Sequence, residues 1–353
     1  MDFLVKEDSF IFIIRKGVNW HNSSPLKFKF LIRSYHNKAQ KIRKTYDLLY
    51  FFGAKQLAIV YNKKKSMVYQ MSKTSYFKTP LRYPGGKAKF SPHIEKVLHF
   101  NNLVGGVYAE PYAGGAGVAI GLLTKNLVTD IFINDIDLAL YSFWYAVVNH
   151  TDQFCELIQS TPVTMDNWYL QRQVLLVPDG KSVLEIAFAT FYLNRTNRSG
   201  ILKAGVIGGK AQSGKWKLDE RYNKNDLISR IKHIGSFKDR IHVSKLDAID
   251  FIERNSTLLP SKSLTYLDPP YYVKGAELYR NFYQHDDHVK ISKTLSTISA
   301  PWIVSYDNVG EIKELYESFH MTDYALSYTA QDKKKGSEVI IYNHGLLAPE
   351  IHG

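Results

Sequence analysis

Asp268 heads the stretch Asp268-Pro269-Pro270-Tyr271-Tyr272, directly after the β-like run Ser263-Leu264-Thr265-Tyr266. The two prolines supply no ladder donors and fix φ, so a strand must stop there. A carboxylate is left at the carboxyl end of a strand with two aromatic rings beside it. In an open α/β sheet, ligands bind at that edge. On these residues alone, a turn with a capping aspartate and packed tyrosines is an equal alternative. Upstream, Gly105-Gly106-Val107-Tyr108-Ala109 predicts a buried strand running into Glu110-Pro111-Tyr112-Ala113-Gly114-Gly115-Ala116-Gly117, then a helix to about Leu123. Strand, glycine loop and helix together let a ligand approach the backbone closely. A second strand, Asp130–Ile133, ends in Asn134-Asp135, and Asp135 lies 21 residues after Gly114. An acidic residue at that distance is placed to accept hydrogen bonds from ribose hydroxyls. Asp137 reads instead as the cap of a helix over 138–148. The G-x-G-x-x-G fingerprint and a Walker lysine pattern are both missing, which favours a nucleoside ligand without phosphates over NAD or ATP.

Other elements must position these groups. In Leu81-Arg82-Tyr83-Pro84-Gly85-Gly86-Lys87, an aromatic and a lysine flank a tight turn before a helix over 90–100. That arrangement suits an anionic or carboxylate-bearing ligand, with an ordinary glycine turn as the alternative. Residues 150–235 read as an inserted module. A helix is predicted over 182–194, and the segment from Asn194 to Lys217, with its repeated glycine turns, predicts a hairpin. Its Asn, Arg and Ser side chains can reach base edges while its lysines meet phosphates, a solvated basic loop being the alternative. A strand over 240–243 leads to Asp247, which either caps a short helix or bonds a ligand amine. Further on, helices are predicted over 286–298 and 309–319, and strands over 302–306, 325–328 and 338–342. This alternation predicts an α/β fold with a mixed, mostly parallel sheet and helices on both faces. His285 and His288 lack a third ligand at suitable spacing, so no metal is expected.

Composition narrows the classes. The chain has 353 residues, a formal net charge of +13 and a single cysteine, Cys155, which excludes an internal disulfide framework and fits a reducing, cytoplasmic setting. No apolar run is long enough for a membrane span, and the start does not read as a signal peptide. The charge is local. Residues 1–70 hold 14 Lys and Arg against 4 Asp and Glu, and residues 195–240 hold 12 against 4. Such segments suit a polyanionic partner. Residues 1–78 read as a basic extension with three open interpretations: a poorly ordered appendage, an arm adding non-specific DNA affinity, or sequence outside the native chain if translation starts at Met71.

The motifs, in this order, resemble the Dam-like (alpha-class) N6-adenine DNA methyltransferases. The residues carrying the likeness are Arg82–Lys87, Glu110–Gly115, Asn134-Asp135, the Asn194-Arg195 segment and Asp268–Tyr271, over roughly residues 80–345. The resemblance implies an S-adenosylmethionine-dependent methyltransferase fold with a mixed seven-stranded sheet. Residues 79–149 and 236–353 would form the catalytic domain, and 150–235 an inserted target-recognition domain. Tyr83 and Lys87 would contact the methionine end of S-adenosyl-L-methionine, with the loop of Glu110, Pro111, Tyr112 and Gly114 beneath it. Asp135 would hold the ribose, and Asp247 and Asp268 would complete the cofactor site. Asp268 and the Pro269 carbonyl would accept hydrogen bonds from the target amine, and Tyr271 would stack on the base. Asn194, Arg195, Arg198, Ser199, Lys215, Lys217 and Arg221 would contact double-stranded DNA. A cognate restriction endonuclease is a partner the resemblance leaves open, and GATC is one candidate site. N4-cytosine methylation, an RNA substrate and a catalytically inactive DNA-binding relative are the alternatives. The chemistry is independently consistent. An exocyclic adenine amine has its lone pair delocalised into the ring, acceptors on its hydrogens localise that pair, and positioning then drives an in-line displacement. No cysteine nucleophile is required.

Overall fold

Strands buried on both faces must be apolar at consecutive positions, with alternate residues serving opposite cores. The chain shows this directly. Tyr266, Ile303, Ile340 and Tyr342 join one buried cluster, while their neighbours Leu267, Val304, Val339 and Ile341 join the other. A computed structural model describes residues 79–83, 87–273, 283–326 and 336–350, together with the backbone of five short strands within residues 3–61.

The chain divides into two units, Met1–Thr74 and Ser75–Gly353. In the first, β1 (Phe3–Glu7), β2 (Phe10–Ile14), β3 (Leu26–Arg33), β4 (Thr45–Tyr50) and β5 (Val60–Tyr61) pair antiparallel in sequence order. The basic runs 38–44 and 63–65 and the segment at Met71 lie outside the described residues.

The second unit begins with α1 (Ser91–Phe100), β6 (Gly106–Glu110), α2 (Gly117–Thr124), β7 (Val128–Asn134) and α3 (Leu138–Asn149). Four helices follow: α4 (Thr151–Ser160), α5 (Met165–Leu176), α6 (Val183–Thr196) and α7 (Lys224–Gly235). The chain then returns to the sheet through β8 (Ile241–Ser244), α8 (Ala248–Leu258) and β9 (Ser263–Leu267). It ends with α9 (His285–Ser296), β10 (Trp302–Asp307), α10 (Gly310–Leu315), β11 (His320–Leu326) and β12 (Gly336–Tyr342). The sheet order is β11-β12-β10-β9-β6-β7-β8. Strands β8, β7, β6, β9 and β10 are mutually parallel, and β12 runs against both of its neighbours. This is the expected mixed seven-stranded α/β sheet.

Topology selects the site. The chain builds outward from β6 through β7 to β8, then crosses back to lay β9 on the other side of β6. Strand order therefore reverses between β6 and β9, and the crevice at the carboxyl ends of strands flanking such a reversal is where ligands bind. Glu110 ends β6, and Asp268 follows β9 directly.

Phe188, Phe191, Tyr192, Tyr222 and Ile231 share one buried cluster with Phe143 and Trp144 of α3, so residues 150–235 are continuous with the main core. Helix α6 starts where Ser182 and Glu185 form a reciprocal capping box. The predicted hairpin beyond it is not formed. Asn197 and Val206 make an isolated bridge among turns, because the many glycines leave too few side chains to sustain a ladder. Helix α10 is also shorter than the predicted 309–319, ending at Leu315.

Candidate active site

The loop after β6 is held from three sides. Trp144 of α3 donates its indole N–H to the Gly114 carbonyl at 2.8 Å. Asn134, buried at the end of β7, donates to the carbonyls of Pro111 and Leu246, both at 3.0 Å, and accepts from Ser244 Oγ and the Leu246 amide. Asp135 accepts from the Gly114 amide at 3.0 Å and the Asp137 amide at 3.0 Å. Tyr83 covers the loop so closely that a Cβ at Gly114 would sit 2.8 Å from its ring and one at Gly115 2.8 Å from its Cβ, and Gly114 also has φ +48°. Only glycine fits both demands at Gly114. Tyr112 turns away toward the second core, and its hydroxyl meets that of Tyr283 at 3.0 Å. Asp247 caps α8 through the Ile249 amide at 2.8 Å, as one of its two readings anticipated.

The second half of the site is a buried charge cluster. Lys87 Nζ lies 3.0 Å from Asp268 Oδ1 and 3.4 Å from Glu338 Oε1, and donates to the Tyr271 hydroxyl at 2.5 Å. Tyr271 in turn donates to Glu338. Ser305 of β10 donates to Asp268 Oδ1 at 3.0 Å and meets the Tyr266 hydroxyl at 2.8 Å. Asp307, at the end of β10, accepts from the Tyr272 and Val273 amides, both at 2.9 Å, which pins the turn after the prolines. Burial works against the Lys87 charge, but Asp268 and Glu338 outweigh it, and its pKa is raised. Burial, then Asp268 and Glu338, push the Tyr271 hydroxyl well above its ordinary value, so it stays protonated.

Some expected roles do not match these positions. Tyr271 is only 7% exposed, its ring lies 4.8 Å beneath Lys87 Nζ, and its hydroxyl is engaged, so as placed it offers little face for base stacking. Asn194 is buried, and its amide grips the Arg82 amide and carbonyl at 2.8 Å each and the Gly200 carbonyl at 2.9 Å. It has no edge left for a base. Arg195 is turned inward to the carbonyls of Arg221 and Pro80. Arg198, Ser199, Lys215, Lys217 and Arg221 are exposed. The residues that sequence reading missed are Glu338, Ser305 and Asp307. Glu338 carried a signal, since it is a charged residue leading the apolar run Val339–Tyr342 into a buried strand.

Two further carboxyls are shifted. Burial raises Glu110 to about 8, against hydrogen bonds from Tyr108 and the Ala119 amide, and raises Asp135 to about 7. Both hold protons in the folded chain over a range where the unfolded chain has released them. Stability is therefore expected to fall as pH rises from the ordinary carboxylate range toward these values, by up to about 1.4 kcal/mol per pH unit per group. Glu110 is 4% exposed and carries the firmer share. Denaturant unfolding across this pH range checks the slope, and Glu110→Gln should flatten it.

The family profile of the D12 class N6 adenine-specific DNA methyltransferases matches residues 83–329, which take in the glycine loop, Asp135, Lys87 and Asp268. The chain belongs to this family. Among curated proteins, the methyltransferase is 24% identical over 224 residues to the type II methyltransferase M.CviBI of Paramecium bursaria Chlorella virus NC1A, covering 63% of this chain and 80% of the relative. It is 24% identical over 264 residues to the type II methyltransferase M.MjaIII of Methanocaldococcus jannaschii, covering 68% and 88%. It is also 24% identical over 255 residues to the modification methylase StsI of Streptococcus sanguinis, covering 68% of this chain and 36% of that longer protein. The family implies S-adenosylmethionine as methyl donor and DNA as substrate. The cleft fits such a donor: a glycine loop lies beneath an aromatic ring, and Asp135 keeps acceptor capacity beyond its two backbone bonds. Among the described residues, no helix is long and apolar enough to cross a membrane, and no group of three or more His, Cys, Asp or Glu could hold a metal ion.

Proposed function

We propose that this chain is a site-specific methyltransferase acting on N6 of adenine in duplex DNA. The observation carrying this reading is the Asp268 carboxylate at the strand-order reversal, fixed through Oδ1 by Ser305 and Lys87. A carboxylate has about four acceptor positions, so Asp268 retains capacity for an amine N–H. Accepting that hydrogen localises the nitrogen lone pair, and Asp268 then takes the proton the amine sheds once methylated. S-adenosylmethionine, when bound, supplies an electrophilic methyl group on a sulfonium. Tyr83, the Glu110–Gly115 loop, Asp135 and Asp247 would hold it, and the charges of Asp268, Glu338 and Lys87, which sum to −1, favour a cationic donor nearby.

Lys87 and Tyr271 act as positioning groups for Asp268, with Glu338 anchoring both. The target base must leave the duplex at a cost on the order of a few kcal/mol. Exposed Arg198, Ser199, Lys215, Lys217 and Arg221 supply the DNA contacts that offset it. Attack through a thiolate, as C5-cytosine chemistry requires, has no support. Cys155 is buried in α4, and burial raises its pKa. The type II and modification names of the relatives make a cognate endonuclease the partner to seek.

The test is transfer from labelled S-adenosylmethionine to duplex DNA, followed by digestion to nucleosides. Label in N6-methyldeoxyadenosine is expected. Label in N4-methyldeoxycytidine, transfer confined to RNA, or cofactor binding without transfer would overturn the reading.

A further inference from the structure

Helix α5 and the loop after α6 enclose a cleft of about 650 Å³ that shares no residue with the cluster around Asp268. Arg172, Arg198, Lys203 and Lys210 line it, and none of the described residues lining it is acidic. Four like charges in one concavity repel unless an anion joins them. The wall between them is aromatic. Trp168 is buried, with the Arg172 guanidinium 5.2 Å from its ring centre, and the adjacent Tyr169 is 49% exposed. Leu176, on the same wall, is 62% exposed. Cations beside flat, apolar surface match the two halves of a nucleotide, phosphate and base.

The cleft is also fixed in register with the active site. Trp168 Nε1 donates to the Asn197 side chain at 2.7 Å, and the Asn197 carbonyl accepts from Arg82 Nη1 at 3.0 Å. Arg82 precedes Tyr83, whose ring covers the glycine loop. One buried asparagine thus ties the cleft wall to the segment that covers the catalytic loop.

We propose that this cleft is a nucleotide subsite holding the DNA strand away from the target adenine, with phosphates on Arg172, Lys203 and Lys210 and a base or sugar against Tyr169. This rests on the DNA methyltransferase reading and deepens it, since phosphate contacts set register without reading sequence.

The experiment compares the full chain with Lys203→Ala/Lys210→Ala and with Tyr169→Ala, all exposed positions. Binding is measured across a salt series on duplexes of graded length, each centred on the methylation site. The lysine pair should lower the slope of log K against log salt by about one for each phosphate that is no longer neutralised. Tyr169→Ala should weaken binding roughly tenfold with little change in slope. Both effects should vanish on duplexes too short to reach the cleft, while S-adenosylmethionine affinity measured without DNA stays the same. Wild-type affinity and slope in the lysine pair at every length, or an unaltered Kd for Tyr169→Ala, overturns the proposal while leaving the methyltransferase reading intact. A wild-type chain that binds no duplex of any length removes both.

Discussion

Asp268→Ala should lower methyl transfer by roughly 10²–10⁴-fold, the range for losing a positioned proton acceptor. The substitution is expected to leave the fold standing. Lys87 keeps Glu338 as an opposite charge, and Asp307 still pins the turn through the Tyr272 and Val273 amides. Affinity for DNA and cofactor should therefore change far less than the rate, so the loss appears in kcat. Asp268→Asn should also be slow despite its matching shape, because an amide supplies one acceptor and presents donors where the target amine must donate. Single-turnover transfer at saturating cofactor and DNA is the measurement. A rate within a few-fold of the unmodified chain would remove Asp268 from the reaction.

Glu338→Gln should produce the second-largest loss. Glu338 is 1% exposed, accepts from Tyr271 and stands 3.4 Å from Lys87 Nζ. The neutral isostere leaves Lys87 with Asp268 as its single counter-charge and offers Tyr271 a weaker acceptor. Hydrogen bonds to charged groups contribute about 1.5–3 kcal/mol, which sets the expected fall in rate at roughly ten- to a hundredfold. Removing one attracting carboxylate must also lower the Lys87 pKa, so the alkaline limb of the rate profile should move to lower pH. Glu338→Asp should restore part of the rate. A variant that only melts earlier, with its pH profile unmoved, would reduce Glu338 to a packing residue.

Much of this arrangement was legible from the chain. The β6 loop, the strand ending at Asp135 and the turn at Asp268 are local features written by proline, glycine and apolar runs, and each lies where those signals place it. Helix α6, predicted over 182–194, runs Val183–Thr196 with Ser182 as its cap. What could not be read is long-range. Glu338 reaches Lys87 only because β12 inserts antiparallel beside β10, and Ser305 reaches Asp268 only because β10 pairs with β9. Asn194 illustrates the converse. Its residue type suits a base edge, but folding spends all of its hydrogen bonds on Arg82 and Gly200. The turn-rich stretch to Lys217 misled for a related reason, since its glycines mark sharp turns that stop short of a hairpin.

The clasp between Asn194 and Arg82 bears on how residues 150–235 could be exchanged between relatives. A chimera cut at the edges of residues 150–235 would carry one jaw of that clasp and leave the other behind. Gly200 sharpens the constraint, because any side chain there would meet the Arg82 carbonyl at 2.3 Å. Both contacts fall on main-chain atoms of Arg82, which a residue of any type but proline at that position would present. The demand therefore rests on the incoming segment, which must bring an asparagine at 194 and a glycine at 200, while position 82 of the recipient is free to vary.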